Sequence, residues 1–247
     1  MAEAATGLQF VLVHGSWHTG AGWRHVSGHL TAAGHRVLAP ILAGRGEGAA
    51  TGISMMDMVD GLCAEVEGAD LTDIVLVGHS AGGTVVAKAA ERLAPRLARL
   101  VFISPLLAPD GGSILDAVPP DYAGAFRAMA EASGDNTVFP PWPIWRDGFI
   151  GDADEALAKA AHEELCPEPF GPVTETVDLS AFAALEVPKS YINPMEDTVF
   201  PIGEWGFFPR MYQRVAPCRL VQLHGSHEVM YSNPAALADA LVAAGRP

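Results

Sequence analysis

Apolar positions along the chain fall into short unbroken runs separated by longer amphipathic stretches. Phe10-Val11-Leu12-Val13 is one such run, stopped by His14-Gly15, as a strand buried on both faces should be. Segments 37–42, 74–77, 100–103, 190–192 and 220–223 read as five further strands. Between them Trp23, Val26, Leu30 and Ala33 recur at helical spacing, with Gly34 as a C-terminal stop. Met55, Met58, Val59, Leu62 and Val66 mark a second amphipathic helix, and 84–93 a third. The last helix opens at Asn233, a candidate cap, and Pro234 at the first helical position. Strands alternating with helices predict an α/β fold with a mostly parallel sheet covered on both faces. The alternation breaks after Pro105. From there to about Ser180 the chain is rich in proline, carries Tyr122, Trp142 and Trp145, and shows only short helical stretches. That segment reads as an insertion lying over one end of the sheet. No internal repeat appears.

A chain of 247 residues, 49% apolar and 18% charged, has material for a sizeable core, in one large domain or one domain with an insertion. Its 29 acidic residues outnumber 15 basic ones, for a formal charge of -14. Such a surface repels phosphate backbones and anionic lipid, and no basic cluster offsets it. Nucleic-acid and membrane partners are therefore not expected. Cys63, Cys166 and Cys218 are odd in number and widely spaced, so neither a disulfide framework nor a zinc ribbon is suggested. They read as apolar thiols of a reducing compartment. The N-terminus carries Glu3 without a cationic stretch, and the apolar run at 8–13 is too short for a secretion signal or a membrane span. The expected location is the cytoplasm.

Chemistry concentrates at Gly78-His79-Ser80-Ala81-Gly82, with Gly83 after it. The five-residue pattern is weak by itself; its place between strand 74–77 and a helix raises it. A sharp strand-to-helix turn strains the serine backbone, and glycines on both sides remove side chains that would clash there. The hydroxyl then projects at the carboxyl end of the sheet, and the helix N-terminus offers N–H groups to a developing oxyanion. A serine nucleophile needs a base, itself oriented by a carboxylate. His227, in the loop after the last strand, is the expected base, whereas His224 continues the strand. Asp197, just after strand 190–192, is the expected acid, with Glu196 its competitor. The paired histidines lack a third ligand of suitable spacing, so no metal is expected.

The segment from Phe10 through Ser16-Trp17-His18 to Gly22-Trp23 and His35-Arg36-Val37 resembles the opening of the small esterase and hydroxynitrile lyase family of α/β-hydrolases. Val75 to Gly83, Val187 to Ile192, and His227 ahead of Asn233-Pro234 are similar to it as well. That family includes plant methyl esterases and bacterial carboxylesterases. The resemblance implies an α/β-hydrolase fold with a Ser80/Asp197/His227 triad and an oxyanion hole from the N–H groups of Ser16 and Ala81. It further implies a core over 1–105 and 181–247, a helical cap over 106–180, no cofactor, and often a homodimer. The lyase branch places a lysine directly after the catalytic histidine to help hold cyanide. Here that residue is Glu228, whose charge would repel the anion.

These features predict a serine carboxylesterase acting through an acyl-enzyme on an uncharged, hydrophobic small-molecule ester with an aromatic or polyketide-like part. Trp17, His18, Trp142, Trp145 and Glu228 are the expected substrate contacts, with Trp205 a further candidate. His162 is expected to be solvent-exposed on a helix, and His79 to pack beneath the turn. Two competing functions remain: lyase or proton-transfer chemistry in natural-product tailoring, and a small-molecule receptor on a hydrolase fold. An epoxide hydrolase or dehalogenase would need aspartate where Ser80 stands.

Overall fold

The computed structural model describes residues 7–247; the N-terminal reading that rested on Glu3 lies outside them. Six parallel strands form the central sheet: β1 (Gln9–Val13), β2 (Arg36–Leu38), β3 (Ile74–His79), β4 (Leu97–Ile103), β7 (Lys189–Pro194) and β8 (Arg219–Leu223). Their spatial order is β2-β1-β3-β4-β7-β8, every pairing parallel. The four central strands are almost wholly buried, which is why their apolar runs are continuous rather than alternating. Helices α1 (Arg24–Ala32), α2 (Met55–Gly68) and α3 (Gly82–Leu93) and the C-terminal helix Pro234–Gly245 surround the sheet. The α1 helix ends where Gly34 takes φ +87°, a conformation a side chain would strain.

Two local expectations are corrected. The second strand stops at Leu38 rather than running to Leu42. It lies at the sheet edge, and Pro40 has no N–H to extend the ladder. Asn233 does not cap the last helix with its side chain; Pro234 alone takes the expected first position.

The segment between β4 and β7 is more than short helices. It contains α4 (Pro120–Ser133), the helix Glu155–Glu163, and an antiparallel ribbon of β5 (Thr137–Val138) and β6 (Glu168–Pro169). Gly111 N–H donates to Val177 O at 2.9 Å and Val177 N–H to Gly112 O at 2.8 Å, closing the neck of the insertion. Because all sheet strands run the same way, the turns after β1, β3, β7 and β8 share one edge. Residues that follow all four of these strands line a cavity with residues of the insertion.

Helix α2 starts on a reciprocal cap: Ser54 Oγ accepts from Asp57 N–H and Asp57 accepts from Ser54 N–H. Replacing Ser54 with Ala should cost about 1 kcal/mol and lower Tm by roughly 2–4 °C, read by thermal unfolding monitored by circular dichroism.

Candidate active site

Ser80 sits at the β3–α3 turn with φ +50° and is buried. The surroundings explain the glycines. A Cβ on Gly15 would lie 2.8 Å from Ser80 Cβ, and one on Gly83 would lie 2.6 Å from Pro105 Cβ. The strained turn is held by Ser80 N–H donating to Ile103 O at 3.2 Å and by Leu106 N–H donating to Ser80 O at 2.7 Å. The N–H groups of Ser16 and Ala81 reach no acceptor among the described residues, which leaves both free to meet a developing negative charge.

His227 and Asp197 come together. The imidazole Nδ1–H donates to Asp197 Oδ2 at 2.7 Å, and both side chains are buried. Burial alone would lower the pKa of His227, but the Asp197 charge and hydrogen bond outweigh it and hold the value above 6.5. With Nδ1 engaged, Nε2 is the nitrogen left for proton transfer. Ser80 and His227 line one cavity. The competing pair points elsewhere: His224 Nδ1–H donates to Glu196 Oε1 at 3.1 Å, with His224 81% and Glu196 50% exposed.

Two further histidines support these turns as neutral rings. His14 donates from Nδ1 to Gly15 O at 2.9 Å and accepts from Leu42 N–H at Nε2 at 3.1 Å. His79 lies beneath the turn and donates from Nε2 to His227 O at 3.0 Å. Burial, the largest influence on both, brings each to about 3. Ligand atoms of His79, His227 and Glu228 lie within 4.8 Å of one another. Hydrogen bonds to protein engage His79 Nε2 and His227 Nδ1, and Glu228 faces His18.

The substrate contacts expected from sequence separate into those that line the cavity and those that do not. Trp17 lines it. His18 and Glu228 stand behind it as an ion pair at 3.2 Å, with side chains 4% and 1% exposed. His18 Nδ1–H also donates to Ser16 O at 2.7 Å, so the pair ties the turn after β1 to the turn after β8. Burial works against the imidazolium, yet Glu228 raises His18 above 6.5; burial likewise disfavours the Glu228 carboxylate, yet His18 brings it down to about 2. A protonated His18 therefore balances the charge of Glu228. Trp145 is fully buried, donates from Nε1 to Ala158 O at 3.1 Å, and stacks behind Phe149. Trp142 packs on His162, and Trp205 lies under the Arg210 guanidinium. His162 is half-buried rather than exposed, its Nε2–H donating to Pro140 O at 3.0 Å.

Glu168 was not foreseen. Its Oε2 accepts the Trp17 N–H at 3.0 Å, its Oε1 pairs with Arg45 at 2.5 Å, and it lines the cavity. Trp17 has φ +65°, a conformation costing on the order of 1–3 kcal/mol for a non-glycine residue. Cys166 N–H donating to Trp17 O at 2.7 Å and Trp17 Nε1–H donating to Val138 O at 3.0 Å complete the clamp. No local pattern marks Glu168, because its partners lie more than a hundred residues away in sequence. Phe126, Phe149, Phe170, Phe200 and Phe207 join Trp17 in the cavity's aromatic lining, again without a local signal.

A serine, an acid and a histidine on turns after parallel strands β3, β7 and β8, in that chain order, define an α/β-hydrolase architecture. The chain belongs to the alpha/beta hydrolase family, whose model matches residues 10–240. It is 28% identical to the carbendazim hydrolyzing esterase of a Nocardioides species, covering 96% of this chain and 99% of that one. It is likewise 28% identical to the pyrethroid hydrolase of Sphingobium wenxiniae, over 96% of this chain and 87% of the relative. Among solved structures, an extracellular alpha/beta-hydrolase from a Paenibacillus species superposes with a TM-score of 0.95 at 34% identity, over 97% of this chain and 100% of that one. That protein is described as sharing structural and functional homology with tobacco salicylic acid binding protein 2.

The His18–Glu228 pair makes a pH-dependent contribution to stability. His18 is raised from 6.5, so its share is complete below pH 6.5 and is lost as pH rises through the folded value. Glu228 is lowered from 4.5 to about 2, so its share is complete above pH 4.5 and is lost as pH falls through about 2. The pair is at full strength between those limits. Glu228→Gln should cost about 3–5 kcal/mol at pH 6 and distinctly less at pH 9, measured by urea unfolding at both.

Proposed function

We propose that the chain is a serine hydrolase that cleaves the carboxylic ester of an uncharged, hydrophobic small molecule through an acyl-enzyme. The observation that carries this reading is the buried 2.7 Å contact of His227 with Asp197, opening on the cavity that Ser80 shares. Similarity to a carbendazim hydrolyzing esterase and a pyrethroid hydrolase supports ester hydrolysis as the reaction. Ser80 Oγ attacks the ester carbonyl while its proton passes to His227 Nε2. The N–H groups of Ser16 and Ala81 receive the oxyanion. Collapse of the tetrahedral intermediate breaks the bond to the alkoxide, which takes the proton from Nε2. Water then attacks the acyl-Ser80 carbonyl, losing its proton to His227 Nε2; collapse of the second tetrahedral intermediate breaks the bond to Ser80 Oγ, which takes that proton back, and the carboxylic acid leaves. Asp197 keeps the imidazole in one tautomer and stabilises the imidazolium.

The cavity lining supports an apolar substrate. Glu168 is the only carboxylate in it and is paired with Arg45, while no lysine or arginine lines it. Arg146, between Trp145 and Phe149, donates to the carbonyls of Ile150 and Gly151. Residues 106–180 are read as the cap over this cavity. Cytoplasmic location remains the reading from sequence, supported by three free cysteines, although the Paenibacillus relative is described as extracellular. No helix among the described residues is long and apolar enough to cross a membrane.

Ser80→Ala should lower kcat/KM for a chromogenic aryl ester by about 10³-fold or more and abolish labelling by a fluorophosphonate, followed by intact-protein mass spectrometry. Wild-type turnover in that variant would reject the nucleophile. Asp197→Asn should lower kcat by on the order of 10⁴-fold, whereas Glu196→Gln should leave it within about threefold, in the same steady-state assay.

A further inference from the structure

We propose that Glu168 and His18 are positioning residues for the oxyanion hole: they grip the two polar ends of the Ser16–Trp17 peptide and keep it from turning over. The proposal rests on the hydrolase reading above. This peptide unit has one donor, the Trp17 N–H, and one acceptor, the Ser16 carbonyl, pointing in opposite directions. Glu168 Oε2 accepts the N–H at 3.0 Å, and His18 Nδ1–H donates to the carbonyl oxygen at 2.7 Å. Each grip is backed by a counter-ion from another part of the chain. Arg45, in the loop after β2, faces Glu168, and Glu228, in the turn after β8, faces His18. All four side chains are at most 5% exposed, so their charges act on the peptide with little screening by water.

The peptide needs holding because its local preference runs the other way. Trp17 is left-handed at φ +65°, a strained conformation for a tryptophan. Half a turn of the Ser16–Trp17 peptide changes only Ser16 ψ and Trp17 φ, and it would return Trp17 to negative φ. The turned-over unit would carry the Ser16 oxygen to the side where the Trp17 N–H now meets Glu168, a residue of the cavity wall. A carbonyl oxygen there, on the same residue as the Ser16 N–H, would oppose the charge that develops on the ester oxygen. The two grips penalise that state directly. Oxygen would face the Glu168 carboxylate, and N–H would face the His18 N–H, leaving acceptor against acceptor and donor against donor.

Glu168→Leu by itself would strand the Arg45 guanidinium, whose Nε and Nη1 reach no acceptor among the described residues, and stability would fall along with activity. Arg45→Met/Glu168→Leu removes the pair as a unit, and an apolar replacement of that kind should leave Tm within a few degrees of wild type. In this variant kcat for 4-nitrophenyl acetate should fall about 10- to 100-fold while KM stays within about threefold. Labelling of Ser80 by a fluorophosphonate, whose phosphoryl oxygen occupies the same hole, should slow by a similar factor. Glu168→Gln, which keeps an acceptor for the Trp17 N–H, should recover most of that loss. His18→Leu/Glu228→Leu removes the opposite grip and should give the same signature, so the test holds if one of the two paired variants does not fold. A folded paired variant with wild-type kcat and labelling rate, or with its loss in KM alone, would overturn the positioning role. Wild-type protein that neither turns over esters nor takes the label would reject the hydrolase reading, and the positioning role with it. An active, labelled wild type beside unaffected variants rejects the positioning role alone.

Discussion

The close approach of α3 to β1 and β4 at the Ser80 turn is the constraint on which the rest of the site depends. A side chain at Gly15 would collide with Ser80, and one at Gly83 with Pro105. Their absence allows the helix to begin at once after the strand, with the serine in a left-handed conformation. That geometry places the hydroxyl and the free N–H of Ala81 at the edge where the parallel sheet already collects the turns after β1, β7 and β8. Without it Asp197 and His227 on those turns would face an ordinary loop.

Around this turn the protein buries an unusual amount of charge, and each ion has a named partner. Asp197 faces His227, Glu228 faces His18, and Glu168 faces Arg45. Such pairs add little net stability over apolar residues of the same volume, because desolvation offsets most of their attraction. What they provide here is position. Glu168 and Cys166 hold the left-handed Trp17 from the insertion side, and His18 holds the Ser16 carbonyl from beneath. The Ser16 N–H is thus aimed by three contacts, two of them supplied by residues near β6. The segment between β4 and β7 thus lines the cavity and also holds the turn after β1 in place.

The same arrangement alters the meaning of Glu228. As a sequence feature beside the proposed base, it reads as a negative charge bearing on substrate. In the fold its charge is balanced by His18 and its side chain is turned away from the cavity. The apolar character of the cavity then follows from its ring of phenylalanines.

By itself the sequence determined the order of strands and helices, the parallel sheet, the insertion after β4, and the turn bearing Ser80. These follow from hydrophobic period and glycine placement, which act over a few residues and so leave a local trace. It also narrowed base and acid to two neighbouring pairs. Tertiary structure alone separates the two pairs, turning Asp197 and His227 inward and Glu196 and His224 to solvent. It alone brought Glu168 to Trp17, 151 positions apart, and set Trp142 and Trp145 into the packing of the insertion rather than the cavity. The direction in which a side chain points within an irregular, proline-rich segment depends on what packs against it, and no short-range pattern encodes that.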